Sequence, residues 1–177
     1  MYPIIAQAIG IIAMLFNIFS YQQKSAKRII ALQFFGASFF ALNYLMLGAY
    51  IATMLNAVGV IRAVLFLKKD KTKVDRIGWV AVFGIAYVAA YVLNFTVLGK
   101  EPTARNLLVE VLPVIAMFAT HLAYRYDSPK TLRGFCLISS VSWLVFNIVN
   151  FAIGAILCEV FSLISIAIAT VRQDKTE

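Results

Sequence analysis

The feature that most constrains the fold is a stretch of 22 residues, 77–98, that contains no charged side chain. As an α-helix, this stretch is long enough to cross a hydrocarbon core of about 30 Å. Six further apolar segments flank it, three on each side, at 3–20, 29–46, 50–67, 107–124, 134–150 and 152–171. The sequence therefore predicts an all-α membrane protein with seven transmembrane helices.

The two groups of three segments are related by a constant spacing of 103 residues, so that Ile-Ala-Met at 12–14 recurs at 115–117. A unit of three spans begins and ends on opposite sides of a membrane, and a direct second copy would therefore be inverted. One additional span between the copies restores the orientation. We interpret 77–98 as this inversion linker, in a 3+1+3 arrangement of two parallel repeats, 1–76 and 99–177.

The composition excludes an ordinary soluble domain. Hydrophobic residues make up 62% of the chain and charged residues 14%, whereas soluble domains have about 45–50% apolar and about 25% charged residues. Seven spans of about 20 residues each also leave no room for a separate soluble domain. Cys136 and Cys158 both fall within apolar segments, and we interpret them as small buried residues rather than as a disulfide or metal framework.

The basic residues are distributed unequally between the two sides of the predicted bundle. Thirteen lie in the loops and tail on one side, and only Lys100 and Arg105 lie in loops on the other. The positive-inside rule therefore predicts an external N-terminus and a cytoplasmic C-terminus. This distribution explains the net charge of +8, and no nucleic-acid partner is expected. The first segment lacks a basic n-region and is expected to be a retained helix.

Two parallel three-helix units joined by one helix resemble the SWEET and SemiSWEET sugar transporters and the wider PQ-loop group. Within that group the chain resembles the bacterial YgjV-type inner membrane proteins over essentially its whole length. The residues that carry this resemblance are EVLPVI at 110–115, LGAY at 47–50, and Trp143, Asn147, Gly154 and Glu159. The Pro-Gln dipeptide that names the PQ-loop group is absent. The resemblance implies a transporter fold in the bacterial inner (plasma) membrane.

The resemblance also implies a substrate pocket, because an aromatic residue and a polar residue sixteen positions later line the pocket in each unit of that family. Here Phe40 precedes Asn56 by 16 positions, and Trp143 precedes Glu159 by 16. Asn147 follows Trp143 by one helical turn and is expected to bind substrate on the same face. A packed helix interface bridged by an amide would produce the same pattern, so both interpretations stay open.

Glu159 is the most informative polar residue inside a predicted span. A carboxyl group there is costly unless it is paired, protonated or hydrated. We interpret it as a substrate-binding or proton-coupling group, with a protonated carboxyl bonded to a neighbouring helix as the alternative. His121, the only histidine, is a second candidate for proton coupling, or else an interface residue.

Three further predictions concern polar residues at other interfaces. On the linker, Tyr87, Tyr91 and Asn94 share one face and are expected to pack against the second repeat. Arg62 is expected to extend to the cytoplasmic surface or to pair with a carboxylate. Glu110 is expected to be hydrated near the outer surface.

No catalytic constellation, phosphate-binding glycine loop or metal-ligand spacing is found, so neither an enzyme nor a cofactor is expected. The leading hypothesis is a SWEET-like transporter that moves a small polar or cationic solute, such as a sugar-like molecule, an amine or a nucleoside. The alternative is a non-transporting receptor, sensor or scaffold of the same fold. The expected partners are the lipid bilayer and the solute, and assembly into a homo-oligomer stays open.

Overall fold

A computed structural model describes residues 2–21, 26–123 and 129–173, and these residues form eight α-helices and no strand. The long helices are α1 (Tyr2–Tyr21), α2 (Ala26–Met46), α3 (Tyr50–Leu67), α5 (Ile77–Thr96), α6 (Ala104–Ala123), α7 (Pro129–Val149) and α8 (Ile153–Gln173). The short α4 (Lys69–Thr72) was not predicted. Each long helix coincides with one predicted segment, although α2 and α7 begin earlier than expected. The basic loops predicted at 21–28 and 125–133 lie partly outside the described residues.

The helices expose apolar side chains and bury polar ones. Helices α3 and α5 and the Ala104–Leu122 part of α6 are long and apolar enough to cross a membrane. The other four long helices have shorter apolar stretches among their described residues. Ile85 and Leu108 are 71% and 70% exposed, whereas Asn43 and Asn147 are completely buried. Such a distribution is unfavourable in water and is typical of helices in lipid.

Six of the long helices are connected in a ring of contacts. Helix α2 packs against α1 and α3, and α7 packs against α6 and α8. The ring is closed by a contact of α1 with α8 and a contact of α3 with α6. The remaining long helix, α5, packs against both α3 and α6. The neighbours of α1, α2 and α3 therefore correspond to those of α6, α7 and α8.

The turn between α2 and α3 has the same hydrogen bonds as the turn between α7 and α8. The Ala49 amide donates to the Tyr44 carbonyl at 2.9 Å, and the Ala152 amide donates to the Asn147 carbonyl at 3.0 Å. Each turn also contains one residue with positive φ, a glycine in the first and Phe151 in the second. The corresponding residues are 103 positions apart, and the repeat seen in the sequence therefore extends to local structure.

Helices α1 and α8 approach each other closely at two glycines. A Cβ atom added at Gly154 would lie 2.6 Å from the carbonyl oxygen of Gly10. One turn before Gly10, the Gln7 side chain donates to the Phe151 carbonyl at 2.9 Å and accepts from the Ile153 amide at 3.0 Å. These contacts fix α1 to the beginning of α8 and to the turn that precedes it.

Candidate functional site

Tyr44 and Asn147 occupy equivalent positions in the two halves of the chain, and their side chains are in direct contact. The Tyr44 hydroxyl donates to Asn147 Oδ1 at 2.6 Å, although the residues are 103 positions apart. Both side chains are buried, with exposed fractions of 3% and 0%. Because equivalent positions of two related units meet only near the axis that relates them, this bond marks the centre between α2 and α7.

Aromatic rings surround this pair. The Tyr44 ring stacks against Phe40 and against Trp143, with ring centroids 6.0 and 5.9 Å apart. Phe146 meets the Tyr44 and Trp143 rings edge-on, at 6.2 and 5.9 Å. Three residues that the sequence assigned to one site, Phe40, Trp143 and Asn147, are thus brought together around Tyr44. We call the five residues of this group, Phe40, Tyr44, Trp143, Phe146 and Asn147, the central cluster.

The Asn147 amide is only partly satisfied in the central cluster. Its oxygen accepts the Tyr44 hydrogen bond, but its buried Nδ2 has no hydrogen-bond partner among the described residues. Exchanging the amide oxygen and nitrogen would leave one of them unbonded as well, since a single hydroxyl reaches only one of the two atoms. An unpaired buried polar group costs about 1–3 kcal/mol. Asn147 therefore presents an open hydrogen-bonding group to any polar molecule that enters the centre.

Glu159 lies next to the central cluster, on α8. The hydroxyl of Ser140, on α7, donates a hydrogen bond to its carboxyl group. The same carboxyl interacts electrostatically with the Tyr44 side chain and with the Cys136 thiol. Ser140 therefore links Glu159 to the helix that also carries Asn147.

Asn56, the counterpart of Glu159 in the first half, makes a different contact. It is half-buried on α3, and its Nδ2 donates to the Ala52 carbonyl one turn earlier in the same helix, at 2.9 Å. Glu159 in contrast bonds to a neighbouring helix. That Asn56 and Glu159 line a common pocket stays a prediction.

A second group of buried polar residues lies between α3, α5 and α6. The His121 ring is 5.0 Å from Phe83 and 6.3 Å from Phe66, between ring centroids. Arg62 Nη1 donates to the Tyr87 hydroxyl at 3.2 Å. Arg62 is 8% exposed, which contradicts its extension to the cytoplasmic surface, and the alternative, pairing with a carboxylate, stays a prediction. A proton-coupling role for His121 stays a prediction.

Two residues of the polar face of the linker helix α5, Tyr91 and Asn94, bond to α6 as predicted, whereas the Tyr87 hydroxyl bonds to Arg62 of α3. Tyr91 donates to the Leu107 carbonyl at 3.2 Å, and Asn94 Nδ2 donates to Glu110 Oε2 at 3.3 Å. Lys100 Nζ lies 2.9 Å from Glu110 Oε1. Since Glu110 is 3% exposed, the expectation that it is hydrated was wrong. The Asn94 amide and the Lys100 ammonium group, rather than water, contact the Glu110 carboxylate.

The described part of the chain shows what chemistry is present at the centre. Within it, no group of three or more His, Cys, Asp and Glu side chains could hold a metal ion. Cys158 is buried and Cys136 half-buried, and both are free thiols. The central groups are aromatic faces, one amide and one nearby carboxyl, a combination that suits the binding of a small polar molecule.

Tyr44 was not among the predicted substrate-binding residues, although its spacing from Phe40 placed it on the same helical stripe and it proves to be the central residue. Two features of the sequence point to it. Tyr44 follows Phe40 by one helical turn, and it precedes Asn147 by the repeat spacing of 103. Two residues that occupy equivalent positions in the two repeats, as Tyr44 and Asn147 do, are candidates for contact with each other across the axis that relates the repeats.

The central hydrogen bond can be tested by a double-mutant cycle. We expect Tyr44→Phe and Asn147→Leu each to lower the free energy of unfolding by about 1–2 kcal/mol, because each leaves a buried polar partner unpaired. The double variant removes both partners, and its loss should be smaller than the sum by about 0.5–2 kcal/mol. Reversible unfolding in mixed micelles measures these values. Tyr50→Phe, at an exposed tyrosine, is the matched control, and strict additivity would contradict the bond.

The buried polar groups, the apolar exterior and the long apolar helices together define a helical integral membrane protein. The chain matches the model of the Imp-YgjV family, described as bacterial inner membrane protein, over residues 4–177. It therefore belongs to this family. No curated protein and no solved structure matches the chain.

Proposed function

We propose that the protein is a SWEET-like transporter, which moves a small polar or cationic solute across the inner membrane by alternating access between two three-helix units. The observation that carries this proposal is the central cluster, where Asn147 holds a buried Nδ2 with no hydrogen-bond partner among the described residues. Buried polar groups in native proteins are almost always paired. An unpaired amide between two related helices is readily explained if a solute, or the water that replaces it, accepts the missing hydrogen bond from Asn147 Nδ2.

The chemistry of the cluster indicates the class of solute. The rings of Phe40 and Trp143 flank Tyr44 on two sides and can stack on the face of a sugar, an amine or a nucleoside. The Asn147 amide supplies a hydrogen-bond donor. Glu159 supplies carboxyl oxygens that accept from hydroxyl groups or attract a cation. A solute with both polar and apolar faces fits this combination best.

The position of the Tyr44–Asn147 bond suggests how the site opens. Both residues lie two positions before the ends of their helices, α2 at Met46 and α7 at Val149. The bond therefore closes the bundle at the end where α2 and α7 terminate. A solute that takes over the Asn147 amide would release Tyr44 and allow α2 and α7 to separate. This movement would open one side of the membrane to the central cluster.

The same proposal includes the topology of the chain. Seven spans in a 3+1+3 arrangement, with an external N-terminus, are supported by the corresponding neighbours of the two halves and by the unequal distribution of basic residues. With no phosphate-binding loop in the sequence, movement is downhill or coupled to an ion. Glu159 is the primary candidate to carry the coupling proton, and His121 is the second.

Single cysteines test this topology. With Cys136 and Cys158 replaced by alanine, Lys71→Cys and Glu101→Cys should react with a membrane-impermeant maleimide from opposite sides, because α5 separates the two positions. Both positions are exposed. Lys71→Cys should react only after the cells are opened, and Glu101→Cys in intact cells once the outer membrane is permeabilised. Labelling of both from the same side would contradict a spanning α5.

Uptake by reconstituted vesicles tests the transport function. Protein in phosphatidylcholine vesicles is offered radiolabelled sugars, amines and nucleosides, and at least one class should enter faster than into protein-free vesicles. Asn147→Leu and Trp143→Ala should lower this uptake at least about tenfold, if each removes a contact worth one to two hydrogen bonds. Ile61→Ala, at a 58% exposed position, should leave it unchanged.

One observation favours the alternative of a non-transporting receptor, sensor or scaffold. Phe40, Tyr44 and Trp143 are all buried, and their rings stack on one another at the centre. A receptor would bind its solute at this cluster without releasing it on the other side. Solute-dependent quenching of Trp143 fluorescence, measured in a Trp79→Phe background, together with no uptake in vesicles would support this alternative. Quenching together with uptake would support transport.

A further inference from the structure

The linker helix carries an open apolar groove on the side that does not contain its polar face. The groove extends along α5 from Ile77 to Val92, with Phe118 of α6 at its edge, and has a volume of about 790 Å³. Its lining is almost entirely apolar. From Ile77 to Val92 the helix rises about 22 Å, which is longer than the depth of one leaflet of a hydrocarbon core of about 30 Å. The groove therefore has the length and the polarity of an extended acyl chain.

A strongly basic loop lies at the end of the groove where α5 begins. Between α3 and α5 the chain has five basic side chains and two acidic ones, and all five basic residues are exposed: Lys68, Lys69, Lys71, Lys73 and Arg76. Arg76 immediately precedes Ile77, the first residue of the groove. An anionic group at this end of the groove would meet a surplus of positive charge.

The basic loop is held in place by the helix bundle. Val74 is completely buried, which anchors the loop between Lys73 and Arg76. The Thr72 hydroxyl donates to the Leu65 carbonyl at 2.9 Å and ties α4 to the end of α3. Lys73 has a left-handed backbone conformation, with φ of 51°. The backbone of the segment from Lys73 to Arg76, which also contains the acidic Asp75, is therefore held near the start of α5.

The start of α5 is itself suited to an anion. Arg76 is the N-cap residue, and its side chain makes no capping hydrogen bond to the helix. The first amide groups of an α-helix have no acceptor within the helix and lie at the positive end of its dipole. Gly78 adds no side chain there, and a Cβ atom at this position would meet only open space. Phosphate groups bind readily to such helix N-termini.

We propose that α5 carries a binding site for one anionic phospholipid, with an acyl chain in the apolar groove and the headgroup phosphate at the N-terminus of α5, next to Lys73 and Arg76. The groove alone would accept any lipid. The exposed positive charge and the uncapped helix start favour an anionic headgroup over a zwitterionic one. Because α5 contacts both α3 and α6, the bound lipid would rest against the helix that joins the two halves of the protein.

Native mass spectrometry of the full chain in mild detergent tests this site. Phosphatidylglycerol is titrated against phosphatidylcholine with the same acyl chains, and glycerol phosphate serves as a headgroup without chains. We expect one tightly bound phosphatidylglycerol, weaker binding of phosphatidylcholine, and little binding of glycerol phosphate. Neutralising Lys73 and Arg76 to glutamine should weaken phosphatidylglycerol binding by about fivefold for each charge. Arg105→Gln, at an exposed position in the first turn of α6, should have no effect.

A matched pair of variants tests the groove. Ala81 lines the groove and Val82 does not, although both are exposed on α5. Ala81→Trp should remove the tightly bound lipid, and Val82→Trp should retain it. Equal affinity for both phospholipids, or equal loss in the two tryptophan variants, would overturn the proposal in favour of nonspecific lipid contact. A dimer that forms through α5 and displaces the lipid would overturn it as well.

Discussion

Gly154→Ala is expected to prevent stable folding of the protein, with a loss of about 3 kcal/mol or more in the free energy of unfolding. The added methyl group would lie 2.6 Å from the Gly10 carbonyl oxygen and equally close to the Ile11 amide nitrogen. These are backbone atoms, which cannot rotate away as a flexible side chain could. Helices α1 and α8 would have to separate, and the Gln7 bonds to the turn before α8 would be lost with them.

Gly134→Ala is the matched control for this prediction. It makes the same exchange within a helix of the second half, but a Cβ atom at Gly134 would have no neighbour within 4 Å. Alanine should stabilise that helix by up to about 1 kcal/mol through its higher helix propensity. Unfolding in mixed micelles measures both variants. If Gly154→Ala were as stable as Gly134→Ala, the close contact of α1 with α8 would be wrong.

The positions of the long helices were predictable because the length of an apolar segment is set by the thickness of the membrane. The segments at 50–67 and 77–98 correspond to α3 and to α5, which ends slightly earlier. Helix α4 was missed, because its four residues are all polar and their helical turn depends on bonds back to α3.

The central cluster was predictable in part. The resemblance to the SWEET transporters implied that Phe40 and Trp143 line one site, and the structure places both against Tyr44. Helical periodicity shows which residues share a face, but not what lies opposite that face. Arg62 was therefore expected to reach the cytoplasmic surface or a carboxylate, whereas it donates to Tyr87, 25 residues further along the chain and on another helix.

The two halves differ most where the linker is bound. Gln7 and Glu110 occupy equivalent positions, 103 residues apart. Gln7 bonds to the turn before α8, but Glu110 bonds to Asn94 and Lys100 of the linker region. Among the described residues, the linker packs mainly against α3 and α6, so most of its contacts lie at one of the two boundaries between the halves. Such asymmetry could not be derived from the repeat itself.

Glu159→Gln is expected to abolish proton-driven accumulation of the solute, on the proposed transport function. If one proton moves with each solute, a difference of one pH unit across the membrane supports about tenfold accumulation. Glutamine has a similar shape and can still accept the Ser140 hydrogen bond, so the variant should fold. Glutamine cannot release a proton, however, and the variant protein should therefore only equalise the solute concentrations inside and outside the vesicles. Vesicles loaded at one pH and diluted into another measure this ratio.

The controls for Glu159 separate coupling from packing. Glu101→Gln, at an exposed loop carboxyl, should accumulate solute as the unaltered protein does. Glu159→Asn copies the residue of the first half and should still exchange a neutral solute, since a hydrogen-bonding amide remains. If Glu159→Gln accumulated solute in response to pH as before, while Glu159→Leu failed to fold, the carboxyl group would serve only to join α8 to α7 through Ser140. Loss of accumulation with retained exchange would instead place the coupling proton on Glu159, because binding and packing would both be intact in that variant.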